Sequence, residues 1–477
     1  MEWIDFFILM KQELAIAAIL FILLIMKVSG DEPNAAGLEA SNHKFLQLVN
    51  LLLALNVAAG FFGVQEGSLF ANMFHTSSLL AVEKTILSAG TLIVSLQSYC
   101  WLKSHKHVHE FYILLLSTLL GMDLMISSGN MLMFYLGLEL STIPLAALAN
   151  FDLEKRKSSE AAMKLIMSSA FSSGLLLFGV SLLYGTTGTL SFTEIPAALN
   201  GSELQLFSFV LILAGFAFKI SAVPFHLWTA DVYQGAPVAV TAYLSVISKA
   251  AVLFIFLTVL YQVFQPLANA WYNMLFVISV LTMLVGNLFA IRQQNLKRFF
   301  AFSSIAQVGF ILVGISASSV QGSAAVIYFT IVYIFSNLGA FGVVALVSSL
   351  AGKENIDDLK GFYQNNKMLS WVLAISLFAL AGIPPTAGFF GKFFLLMAGA
   401  AKGNYVLLII AALNMVISLY YYLRIIKAVF MDANETPIQK LTIPALPKLA
   451  LWICLIGVVV TGLLSVVYDY IYQLALG

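Results

Sequence analysis

Five ionisable residues, Glu139, Lys164, Lys219, Lys249 and Lys392, interrupt long apolar stretches of a 477-residue chain that is 61% hydrophobic and only 10% charged. A charge at the centre of a bilayer costs roughly 2.5–3.5 kcal/mol on a lenient insertion scale, so five uncompensated ones would cost on the order of 12–18 kcal/mol. Charges retained against such a penalty carry function. Burial and a neighbour's charge switch the protonation of lysine and carboxylate, so the set reads as a series of proton-exchanging sites across or along a membrane. Taken singly, each lysine could instead be a structural ion pair or a snorkelling side chain; the five together argue against that.

The elements that must hold these residues are membrane helices. Mean hydropathy is +0.95, and apolar runs of about 20 residues recur along nearly the whole chain, which makes it an all-α polytopic membrane protein. Spans are expected near 12–27, 45–63, 77–102, 111–128, 130–149, 161–184, 206–228, 237–262, 271–290, 299–317, 323–350, 369–398, 404–430 and 449–475, about fourteen in all. The run Leu14 to Met26 follows Glu2, Asp5, Lys11 and Glu13 rather than a basic segment, and no small-residue cleavage site comes after it, so it reads as a retained first span. One set of alternate loops holds seventeen Lys and Arg, and the opposite set only Lys11 and Lys402. By the positive-inside rule both termini lie outside, on the periplasmic face if the membrane is a bacterial inner membrane.

No loop is long enough for a soluble domain, so nucleotide binding and flavin or iron–sulfur electron transfer belong to other chains. Cys100 and Cys454, the only cysteines, sit in apolar segments without a CxxC pair, which argues against a cluster, a haem thiolate or a structural zinc. The expected surroundings are lipid, not nucleic acid.

Two spans carry a lysine near helix-breaking proline: Phe218-Lys219-Ile220-Ser221-Ala222-Val223-Pro224, and Gly382-Ile383-Pro384-Pro385 followed by Gly388, Gly391 and Lys392. Proline removes a backbone donor and clashes with the preceding turn, and irregular backbone at membrane depth survives only where protein buries it or a wet cavity adjoins it. Interrupted helices in corresponding positions of two halves are the mark of an inverted-repeat transporter, though proline also kinks ordinary membrane helices. Such a repeat is expected to divide the chain into N-terminal helices (1–110), a first repeat (111–262), a second (263–430) and a C-terminal helix (431–477).

Weaker candidates surround this series. His226, two residues past Pro224, could pass protons between Lys219 and Lys249 or be a satisfied core histidine. Asp231 and Tyr233 fall in a turn on the basic side, at a proton uptake point or as caps of the eighth helix. His105, His107 and His109 read as a solvated loop, and Glu83 and Lys84 as side chains reaching the interface at the outer end of the third span.

Phe218 to Pro237, FKISAVPFHLWTADVYQGAP, with Val238-Ala239-Val240-Thr241-Ala242 and Ser248-Lys249-Ala250, resembles the proton-pumping membrane subunits of respiratory complex I (NADH:quinone oxidoreductase), relatives of Mrp-type cation/proton antiporters. The wording Asp231-Val232-Tyr233-Gln234-Gly235-Ala236-Pro237 resembles the N branch of that family. Tyr135 to Leu140 with Pro144, Glu160 to Lys164, Asn295 to Arg298, Ser303 to Gly309 and Gly382 to Lys392 follow in order, covering roughly residues 110–430. Gln307 departs from the histidine of many relatives. The resemblance implies that Glu139 pairs with Lys219 and holds it protonated until the carboxylate is drawn away, that Lys164 biases the pair, and that Lys249 relays protons to Lys392. It also implies a complex with further antiporter-like and small membrane subunits that uses FMN, iron–sulfur clusters and a quinone, none of them held by this chain. The alternative is a subunit of an Mrp-type antiporter or a membrane-bound hydrogenase.

Overall fold

In lipid every backbone polar group must find its partner within the protein, and for apolar runs this long the solution is the helix. The computed structural model describes residues 3–29 and 37–476; Glu2 and Gly477 lie outside the described residues. In chain order the principal helices are α1 (Lys11–Ser29), α2 (Leu38–Gly60), α3 (Ser78–Gln97), α4 (Val108–Ile126), α5 (Met131–Ala149), α6 (Arg156–Thr187), α7 (Glu203–Lys219), α8 (Leu227–Gly235), α9 (Val238–Val263), α10 (Ala268–Arg292), α11 (Leu296–Ser316) and α12 (Val320–Ala351). They continue with α13 (Lys367–Ala381), α14 (Ala387–Ala400), α15 (Tyr405–Phe430), α16 (Ala445–Leu463) and α17 (Val466–Leu476).

Eleven of the described helices are long and apolar enough to cross a membrane, so the chain is multi-pass, and the expected fourteen spans are not all met by that standard. The shortfall has physical causes. The spans expected at 206–228 and 369–398 are each split into two short helices, α7–α8 and α13–α14, and α2 carries Glu39, His43, Lys44, Gln47 and three asparagines among its apolar residues. The helix expected at 77–102 stops at Gln97, with a separate turn at Tyr99–Leu102.

Helix ends follow local chemistry. Ser77, Asn130, Asn295 and Ser319 accept a backbone N–H at the starts of α3, α5, α11 and α12. The two 32-residue helices α6 and α12 stop at Gly188 and Gly352, both in the left-handed region. A small antiparallel hairpin, β1 (Gly67–Leu69) with β2 (Phe74–Thr76), fills the connection between α2 and α3 at the end of the bundle where α1 begins.

The centre is formed by α9, α11 and α12. Of α11 only Arg298 is not buried, and α9 is buried along most of its length. Helix α9 is not regular: Leu244–Ser248, directly before Lys249, is a π-helical stretch, the kind of bulge that recurs at functional sites.

Candidate proton-translocation site

Lys219 is the last residue of α7, where the helix gives way to irregular backbone and Ser221 adopts φ +63°. Its ammonium donates to Thr142 Oγ1 on α5 and to Ser169 Oγ on α6, both at 2.7 Å. Thr142 lies three residues after Glu139, on the same face of α5. The expected pair is therefore adjacent without touching: Glu139 and Lys219 form no ion pair within 4 Å, and Glu139 Oε1 is buried with no partner in the protein. Pro144 sits inside α5, so this helix lacks one of its own backbone bonds just beyond the pair.

The segment after Lys219 is lined with polar atoms that no protein group satisfies: Ser221 Oγ, His226 Nδ1, Thr229 Oγ1 and the Tyr233 hydroxyl. Buried polar atoms need partners, and in such positions water supplies them. His226 is only partly buried and hydrogen-bonds to neither lysine.

Lys249 is buried at 2% exposure; it donates to Ser304 Oγ on α11 at 2.6 Å and lies 5.5 Å from the centre of the Tyr233 ring. Tyr233 is thus not in a turn, as its position suggests, but on the helix α8, buried beneath the lysine. Lys249, Gln307 and Tyr333 line one cavity of about 10 Å³, room for a single water. Gln307 donates to the Leu380 carbonyl at 3.0 Å and to the Tyr422 hydroxyl at 3.1 Å. Lys392 donates to the same Leu380 carbonyl at 2.8 Å and to Ala381 O at 3.2 Å, with the Phe310 ring 4.8 Å away.

A common principle places two of these cations. Helix dipoles favour positive charge at carbonyl ends: Lys219 ends the half-helix α7, and Lys392 caps the last carbonyls of the half-helix α13, whose terminal residue Gly382 has φ +85°. Broken helices supply such ends at membrane depth.

Lys164 departs from the expected arrangement. Its side chain is 41% exposed, and it pairs with Asp231 at 2.6 Å and Glu160 at 2.8 Å; Asp231 also holds Arg298 at 2.6 Å. It belongs to an ion-pair network joining α6, α8 and α11 at the chain's surface, not to the Glu139–Lys219 pair. Asp231 is the hub of that network rather than a turn residue. Glu83 and Lys84, expected at an interface, are both buried instead, because α1 and α4 pack over that face of α3. His105 packs against Trp101 and Phe151, and this burial holds its imidazole below the ordinary histidine range; the loop is less solvated than its composition implies.

At the same end of the bundle as the Lys164–Asp231–Arg298 network, a cavity of about 440 Å³ opens beside the start of α9, lined among others by Trp101, Asp152, Lys155, Lys297 and Glu354. Lys297 pairs with Glu354 at 3.2 Å inside it. Two cysteines fall short of the four ligands of an ordinary iron–sulfur cluster, and Cys454 is packed among helices, accepting from Gln97 Nε2 at 3.9 Å.

The family described as NADH:quinone oxidoreductase/Mrp antiporter, TM matches residues 128–418. The NADH-quinone oxidoreductase subunit N of Phocaeicola vulgatus is 44% identical over 472 residues, with 98% of each chain covered. Among solved structures, a chain of respiratory complex I from Thermus thermophilus is 27% identical with a TM-score of 0.78, covering 95% of this chain and 98% of that one. A chain of the Mrp complex of a Dietzia species shares the fold at a TM-score of 0.85 and 20% identity, covering 97% of this chain and 96% of that one.

Proposed function

From the premise that the chain belongs to the NADH:quinone oxidoreductase/Mrp antiporter family of membrane subunits, we propose that it is the proton-translocating subunit N of a bacterial NADH:quinone oxidoreductase, complex I. The observation that carries this reading is the row of lysines with hydroxyl and carbonyl partners, the partly buried Lys219 on Thr142 and Ser169, the buried Lys249 on Ser304, and the buried Lys392 on Leu380 and Ala381. None of the three has a carboxylate in contact among the described residues, so each ammonium is a cation held by dipoles alone and free to give up its proton. Fixed structural lysines in low dielectric are paired.

In the proposed sequence Glu139, one turn from the hydroxyl that holds Lys219, favours the charged lysine; withdrawal of that influence leaves an uncompensated cation, and the proton moves on. The polar atoms of Ser221, His226, Thr229 and Tyr233 carry it through the break to Lys249. The water-sized cavity and Gln307 join Lys249 to Lys392. Gln307 has no proton to exchange at ordinary pH, so it orients the path rather than titrating in it.

The inverted repeat fits the helix series. Tightly packed hairpins α4–α5 and α10–α11 each use glycines where the backbones meet: a Cβ on Gly121 would lie 2.5 Å from Ser141 N, and one on Gly286 2.5 Å from Ala306 N. Each hairpin is followed by a 32-residue helix and then a broken one that ends beside a lysine. The repeats span 111–262 and 263–430, in a bacterial inner membrane with both termini periplasmic. The chain works beside other antiporter-like and small membrane subunits, and the complex's FMN, iron–sulfur clusters and quinone site lie outside it.

Affinity purification of the chain from its native membrane tests the assignment. Recovery with peripheral flavin and iron–sulfur proteins and NADH-dependent quinone reduction is expected; recovery with antiporter partners alone and no redox activity would assign it to the Mrp branch instead.

A further inference from the structure

The three N-terminal helices that pack on the first repeat bury a second set of charges. Glu13 on α1 and Lys84 on α3 form an ion pair of 2.6 Å with side chains 2% and 1% exposed, and Ser127 Oγ donates to the same Glu13 oxygen at 3.2 Å. Asp123 on α4 is wholly buried, and neither of its oxygens has a partner in the protein. Glu13 Oε2 and Glu83 Oε2 are likewise buried and unpartnered. The remaining cation nearby, Lys11, is partly buried and donates to the carbonyls of Ala59 and Phe62.

Three carboxylates thus gather around one buried ammonium. All ionised, they would leave uncompensated negative charge in low dielectric, which carboxylates that share a site avoid by sharing protons. The cluster lies at the end of the bundle where α1 begins, with Phe74 of the β-hairpin closing over Lys84 at 5.2 Å from the ring centre. Toward the core it meets α9: Thr118 Oγ1, on the same helix as Asp123, donates to the Tyr243 hydroxyl at 3.0 Å, and that hydroxyl also meets the sulfur of Met122, the residue before Asp123, at 3.9 Å. Tyr243 stands six residues before Lys249, at the edge of the π-helical stretch that leads to it.

Resting on the function proposed above, we propose that Glu13, Lys84 and Asp123 form a further proton-exchanging site, through which protons from Lys249 leave by way of Tyr243 toward the end of the bundle where α1 begins. Glu13 and Asp123 hold the exchanged proton in turn, and Lys84 keeps the empty site from accumulating charge. The hairpin, whose Phe74 lies over Lys84, is the barrier between this site and the solvent at that end.

Membrane vesicles containing the intact complex provide the test. Asp123→Asn is expected to leave the content of the complex unchanged and to lower protons pumped per quinone reduced at least threefold, and Asp123→Glu to restore most of that ratio. Infrared difference spectra between the NADH-reduced and oxidised complex should contain a protonated-carboxyl band that Glu13→Gln or Asp123→Asn removes or shifts. Should Asp123→Asn fail to accumulate, the spectrum of Glu13→Gln against wild type decides: a changed band supports the site, and an unchanged one overturns it. Wild-type pumping by Asp123→Asn, with Lys219→Ala inactive, overturns this inference and leaves the proposed function standing. Wild-type pumping by both would end the proposed function as well.

Discussion

At the scale of single residues, the partners of each lysine define what its replacement will do. Lys219 rests on two hydroxyls, Ser169 on α6 and Thr142 one turn from Glu139 on α5, so the carboxylate acts through its charge and not through a hydrogen bond. Glu139→Gln keeps size and polarity and removes only the charge; turnover should therefore fall nearly as far as with Glu139→Ala, while Glu139→Asp keeps part of it. Quinone-dependent proton uptake by vesicles reads this directly, and a glutamine variant with full activity would contradict the electrostatic coupling. Lys392 is bound to two carbonyls at the end of α13. Arginine preserves the cation but does not release its proton, since its pKa stays above about 12. Lys392→Arg is expected to assemble and to pump as poorly as Lys392→Ala; near-normal pumping would make Lys392 a fixed charge.

The broken helices are where element and function meet. Gly388, in the first turn of α14, lies against the end of α13 so closely that a Cβ would fall 1.7 Å from the Ala379 carbonyl oxygen. Backbone cannot yield as a side chain does, so Gly388→Ala should displace α14 from the carbonyls that hold Lys392. Pumping should fall severalfold with a lowered thermal midpoint of the complex; an alanine variant with unchanged midpoint and pumping would show that the break tolerates movement. Both breaks were legible in the sequence because proline and lysine coincide there; proline alone does not mark one, since Pro144 sits inside the unbroken α5. What a linear pattern does not report is which way a helix faces. Lys164 looks like Lys219 in sequence, a lysine in an apolar run, yet it points to a surface network with Asp231 because α8 passes there. Lys84 looks interfacial and is buried because α1 and α4 cover it. Asp123, inside the expected span 111–128, was the one signal that could have exposed the second cluster, and its importance appears only once Glu13 and Lys84, distant in the chain, pack beside it.

For the molecule as a whole, the proposed proton path runs among polar groups set in an otherwise apolar bundle. Its parts come from both repeats: Lys219 from the broken helix of the first, Lys249 from the central α9, and Gln307 and Lys392 from the second. Exposed aliphatic and aromatic side chains such as Phe171, Val416 and Ile456 cover the outside, as a lipid-facing surface requires. The proposed function turns on Lys219 exchanging the translocated proton. The most direct measurement is proton pumping by vesicles carrying Lys219→Ala at verified, normal content of the complex. Loss of most proton uptake is expected, because the substitution removes the titrating group and only two hydroxyl contacts. Wild-type proton uptake at equal complex content would contradict it.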